Sequence, residues 1–100
     1  MSYQDLVTQH LRFATLRILA DERNHASNDS LITDELRRIG FNPTRDAVRA
    51  ELRWLESVAA VGIDDTTLKG TWVVTLRERG LDHIERRLVI DGVRRPSPER

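Results

Sequence analysis

The 100-residue chain contains no cysteine. That absence removes disulfides, zinc–thiolate sites and cysteine nucleophiles, and it fits a reducing compartment. Long apolar runs are missing too: none exceeds four residues, whereas a bilayer-spanning helix needs about 20. No membrane segment is expected. The opening Met1-Ser2-Tyr3-Gln4-Asp5 has neither the basic stretch nor the apolar core of a signal peptide, so a cytoplasmic location is expected. Lysine is nearly absent: fifteen of the sixteen cations are arginine and the other is Lys69. Arginine favours bidentate contact with phosphate or guanine, although GC-rich coding produces the same bias.

Catalytic signatures are lacking as well. There is no Gly-x-Ser-x-Gly, no His-Glu-x-x-His, no phosphate loop and no dinucleotide fingerprint. His10, His25 and His83 are scattered without metal-ligand spacing, and the acidic pairs Asp64/Asp65 and Glu78/Asp82 read as solvated charge. The expectation is a protein that is not an enzyme and that uses no cofactor and no metal.

What is present is 39% hydrophobic and 32% charged residues, the balance of one globular domain. Net charge is zero overall but uneven along the chain. Residues 1–36 hold three Arg against six acids, residues 37–55 five Arg against two, residues 56–76 one Lys against three acids, and residues 77–100 seven Arg against five. Two basic blocks alternate with two acidic ones.

Ser2 with Asp5 resembles a capping box, and Val7, Leu11, Ala14 and Ile18 recur at helical spacing, predicting a helix over 3–21. Leu6, Phe13, Leu16 and Leu19 widen its apolar surface, so it packs on more than one partner. Residues 23–28 read as a loop ending in a cap at Ser27 or Asn28. A second helix is predicted over 29–39, stopped by Gly40, and a third over 45–60 after a Pro43-Thr44 turn. In that third helix Val48, Leu52, Leu55 and Ala59 share one face, while Arg45, Arg49 and Arg53 recur at i, i+4 and i+8 along the opposite edge. The period then changes to alternation, predicting a hairpin over 62–76 that turns at Gly70. A last helix is predicted over 77–88. The domain spans 1–90, and 91–100 is expected to be an extended or flexible tail.

Three helices, a short turn between the second and third, a hairpin and a final helix make the element order of a winged helix-turn-helix, an α+β fold with a three-helix core, a β-hairpin wing and a C-terminal helix. The opening MSYQDLV, the block TRDAVR with LRWL, the block GTWVVTLRERGLD and the tail GVRRPSP also resemble a family of small Mu-like phage and prophage proteins. That resemblance implies a winged helix similar to ArsR-type regulators and a bacterial host cell; it brings no established molecular role. Winged-helix regulators often have Leu-Thr before the helix after the wing, and here Leu76 is followed by Arg77.

The leading expectation is a phage or prophage protein that binds double-stranded DNA, a transcriptional regulator placing helix 45–60 in the major groove. Thr44, Arg45, Arg49 and Arg53 would contact the DNA, with Arg37 and Arg38 on the flanking backbone and Lys69 at the hairpin tip. The competing reading of the same arginines is a solvated face that pairs internally, for example Arg53 with Glu56. One protomer neutralises few phosphates, so a homodimer is expected, with helix one or the last helix at its interface. Alternatively, the last helix covers helix one within the same chain. The runner-up function is a protein-interaction adaptor in phage assembly or DNA packaging, with a phage protein as partner.

Overall fold

The computed structural model describes residues 1–97. Ser2 and Asp5 form the reciprocal capping box, Oγ accepting from the Asp5 amide at 3.1 Å and Asp5 accepting from the Ser2 amide at 3.2 Å. They start α1, Tyr3–Asp21. A three-residue strand β1, Ala26–Asn28, leads into α2, Asp29–Arg38, which Asn28 caps by accepting the Leu31 amide at 2.8 Å. Thr44 caps α3, Arg45–Ser57, through the Ala47 amide. Strands β2, Val61–Leu68, and β3, Thr71–Leu76, form the hairpin, and α4, Glu78–Ile84, follows.

The three strands make one antiparallel sheet in the order β1-β3-β2. Val61 pairs with Leu76 and Ile63 with Val74, and a bulge between Asp64 and Leu68 re-registers the hairpin before its turn. On the other edge of β3, Ser27 opposes Val74. Sheet and helices enclose one core, in which Leu16, Leu19, Ile32, Leu36, Leu52 and Leu55 are fully buried. Among the described residues the result is an α+β domain of four helices and a three-stranded sheet, compatible with a winged helix-turn-helix.

Several elements differ from the sequence expectation. Strand β1 replaces a loop. Helix α3 stops at Ser57 rather than residue 60 because Ala59 turns left-handed (φ +62°), while the Ala60 and Ala59 amides return to the Leu55 and Glu56 carbonyls. Helix α4 stops at Ile84 rather than residue 88 by the same device at Arg86 (φ +64°), with Arg87 returning to Asp82.

The chain beyond α4 packs rather than trails. Ile90 and Val93 are buried, the Arg94 amide donates to the Gln9 carbonyl, and the Arg12 guanidinium donates to the Gly92 carbonyl at 3.0 Å while stacking on Trp54. His83 anchors this segment from a fully buried position. Its Nδ1 accepts the Ile90 amide at 3.0 Å, which leaves Nε2 to carry the proton and donate to the Arg94 carbonyl at 2.8 Å. Through Arg94 the stretch expected as an extended or flexible tail is thus packed on the domain, and Val93 belongs to the core. Residues 98–100 of that predicted tail lie outside the described residues.

Candidate functional site

Asn28 does two things, closing the β1 ladder opposite Val73 and capping α2, so the residue after it is fixed against the hairpin. That residue is Asp29. Its side chain is completely buried, and a buried carboxylate survives only if its lone pairs are occupied by strong donors. They are: Oδ1 accepts the Trp72 amide at 2.9 Å, and Oδ2 accepts Arg45 Nε at 2.9 Å and Arg49 Nε at 2.6 Å. Burial by itself would raise the Asp29 pKa, but the hydrogen bonds from Arg45, the Trp72 amide and Arg49 together hold it down at about 2.

The same two guanidiniums meet a second acceptor. The hairpin turns at Gly70 (φ +77°), a conformation glycine adopts without strain, and the turn exposes the Gly70 carbonyl. Arg45 Nη2 donates to it at 2.8 Å and Arg49 Nη2 at 2.7 Å. Arg49 also lies over the Trp72 ring, 4.6 Å from its centroid. One carboxylate and one carbonyl thus tie α2, α3 and the hairpin tip together.

The other predicted contact residues are placed differently. Arg53 also covers Trp72 but is held by two carboxylates, Asp65 at 2.7 Å and Glu56 at 3.0 Å. Thr44 is exposed with its hydroxyl committed to the α3 cap. Arg37 donates to the Pro43 carbonyl in the α2–α3 turn. Arg38 pairs with Glu35 in its own helix and lines a groove between α1 and α2 rather than the α3 face. Lys69 is exposed at the hairpin tip beside Gly70. On the hairpin itself Asp64 accepts from the hydroxyls and amides of Thr67 and Thr66, which hold its carboxyl well below the usual range.

The i, i+4 spacing brings Arg45 and Arg49 to one face but carries no signal for Asp29, Gly70 and Trp72 as their partners. Asp29 carries the signature of an ordinary first-turn acid, and its burial comes from a strand too short to show any period. Of the two readings of the wide apolar surface of α1, the structure shows cover within the chain on the Phe13 side: Leu16 is fully buried and Phe13 packs edge-on to His83 with ring centroids 6.4 Å apart, so α4 and the segment after it lie over that face. Tyr3 and Leu6 stay exposed beside a groove of about 930 Å³ between α1 and the α2–α3 turn, lined by Val7, Leu11, Phe41 and Pro43. Among the described residues no group of three His, Asp or Glu side chains could hold a metal ion, and no helix is long and apolar enough to cross a membrane.

No protein-family model matches the chain. No solved structure matches it either. Two proteins are similar over almost their whole lengths. The protein gp26 of Escherichia phage Mu is 40% identical over 94 residues, which cover 94% of this chain and 95% of that one. A protein of Haemophilus influenzae is 35% identical over 100 residues, covering 99% of this chain and 95% of its own.

Proposed function

The chain belongs to a Mu-like phage protein family that includes gp26 of phage Mu, and from that premise we propose that it is a winged helix-turn-helix protein that binds double-stranded DNA. In this reading α3 enters the major groove, the β2–β3 hairpin is the wing, and the protein regulates transcription in the cytoplasm of the bacterial host. One observation carries it. Arg45 and Arg49 are held side by side on the solvent-facing side of α3, next to the hairpin tip that bears Lys69, with their inner edges fixed by Asp29 and Gly70. Fixed guanidiniums lose little rotamer freedom on meeting an anion, which is the preorganisation a binding surface needs.

Fluorescence anisotropy with labelled duplex DNA at about 50 mM salt tests this. Binding that weakens linearly in log–log form as salt rises supports the reading. A flat response at tens of micromolar protein removes it.

A second reading, an adaptor that docks a phage protein in assembly or DNA packaging, draws on the pairing of Arg53 with Asp65 and Glu56 and on the zero net charge. An adaptor with this charge balance passes through a heparin column at low salt, whereas the DNA binder is retained.

In the DNA-binding reading the protein acts as a two-fold homodimer, which doubles the number of phosphates met. With the Phe13 and Leu16 side of α1 closed by its own chain, the exposed apolar residues left on α1 are Tyr3 and Leu6. Sedimentation of Leu6→Glu against the parent protein checks this: the parent runs as a dimer and the variant as a folded monomer. A parent that is monomeric at tens of micromolar sinks the dimer.

A further inference from the structure

Two guanidiniums share one carboxylate at the α2–α3–hairpin junction. Asp29 carries one negative charge for Arg45 and Arg49 together. The Gly70 carbonyl completes the inner hydrogen bonds but brings no charge. Asp46, the next residue on α3, is exposed; it makes no hydrogen bond to either guanidinium among the described residues and acts on Arg45 only through space, favouring its charged form. Arg53, one turn further on, pairs with two carboxylates of its own, Asp65 and Glu56, and so adds no positive charge to the pair. The hydrogen-bonded set of Asp29, Arg45 and Arg49 by itself therefore carries one positive charge.

The geometry says where that charge is offered. In both arginines Nε and Nη2 point inward, to the same Oδ2 of Asp29 and to the same carbonyl of Gly70. The two planar groups thus stand next to each other, with corresponding edges turned the same way. Among the described residues neither Nη1 has a hydrogen-bond partner, and the side chains keep 43% and 26% of their surface open to solvent. Two adjacent amino groups, each with N–H donors to spare, match two oxygens of a single phosphate. A phosphodiester is monoanionic, which matches the single positive charge of the Asp29, Arg45 and Arg49 set.

Resting on the DNA-binding reading, we infer that Arg45 and Arg49 form a single clamp for one backbone phosphate, with Asp29 as the positioning residue behind it. Pinning Nε and Nη2 inward shortens the reach of both side chains. An arginine that reads guanine extends its fork to O6 and N7 on the groove floor, and these two forks are already closed on Asp29 and Gly70. The pair therefore fixes the docking position of α3 and carries no base preference of its own; sequence preference comes from other contacts or from DNA shape.

The test compares the parent chain with Arg45→Ala, Arg49→Ala and the double variant on two duplexes of equal length, one all A·T and one all G·C. Circular dichroism first establishes that each variant is folded; should Arg49→Ala fail to fold, Arg49→Gln takes its place in the single and the double variant. A clamp predicts that each single variant loses affinity equally on both duplexes and lowers the slope of log affinity against log salt by about 0.9, the value for one phosphate. It also predicts that the double variant lowers the slope no further, because both arginines serve the same phosphate. A loss confined to one duplex with an unchanged salt slope means base readout and overturns the clamp while leaving DNA binding intact. A double variant that lowers the slope by about 1.8 means two separate phosphates and overturns it as well. If the parent binds neither duplex at about 50 mM salt, the DNA-binding reading falls and the clamp falls with it.

Discussion

Asp29 and Arg49 meet at 2.6 Å, carboxylate to Nε, across twenty positions of sequence, and the carboxylate has no exposed surface. The contact joins the first turn of α2 to the middle of α3, and the Trp72 amide on the same carboxylate adds the hairpin. Removing the charge leaves two guanidiniums facing a carbonyl and a main-chain amide without an acceptor. Breaking one side of a buried ion pair typically costs about 3–5 kcal/mol. Asp29→Ala is therefore expected to lower the urea midpoint by the equivalent of about 3 kcal/mol. A change below about 0.5 kcal/mol, the size of an ordinary surface substitution, would show that the junction is not a structural anchor.

Acid titration probes the same group without a mutation. The Asp29 pKa falls from 3.8 to about 2 in the folded protein, so the unfolded chain binds its proton first as pH drops. The stabilisation this pair supplies is fully present above about pH 4 and is lost as pH falls through the folded value near 2. Denaturation followed by circular dichroism between those limits should show stability falling in the parent chain and falling less in Asp29→Asn, which cannot titrate there. Parallel curves for the two proteins would contradict the assignment.

Much of the fold is legible in the sequence because its signals are local. The capping box at Ser2, the cap and stop of α2 at Asn28 and Gly40, and the Thr44 cap of α3 each name their own boundary. All three later helices end on the same hydrogen-bond pattern, in which the residue after the C-cap is left-handed. Only α2 announces it with a glycine; α3 uses Ala59 and α4 uses Arg86, so both were read too long. The candidate site is less legible. The spacing of Arg45 and Arg49 gives their shared face, but their partner Asp29 is recruited by tertiary packing.

Gly80 reverses an ordinary rule. Inside a helix, glycine to alanine is favourable by about 1 kcal/mol. Here a Cβ would press into the Ala60 carbonyl oxygen and come within 2.8 Å of Leu76 Cδ1. The carbonyl cannot move freely, because it accepts the Arg77 amide at the entry to α4. Gly80→Ala is thus expected to destabilise, by about 1–3 kcal/mol as overpacking does. A higher melting temperature in this variant would mean that α4 shifts easily and is loosely held.

The segment after α4 offers the sharpest contrast between local and tertiary signals. Residues 91–97 show no period, and from sequence their removal costs nothing. In the structure Ile90 and Val93 are 1% and 5% exposed, and His83 spends both ring nitrogens on the backbone of Ile90 and Arg94. A chain ending at Val89 would lose two buried apolar side chains, at about 1.5–3 kcal/mol each. It would also break both hydrogen bonds of His83, at about 0.5–1.5 kcal/mol each, and strip the Gly92 carbonyl from the Arg12 guanidinium stacked on Trp54. For a domain of this size about 1 kcal/mol moves the melting temperature by about 4–8 °C, so the shortened chain should melt at least about 15 °C lower or fail to fold. The single variant Val93→Ala keeps the His83 contacts and should give a smaller drop, of about 5–10 °C. Equal melting temperatures for the full and shortened chains would return the segment to the status of a tail.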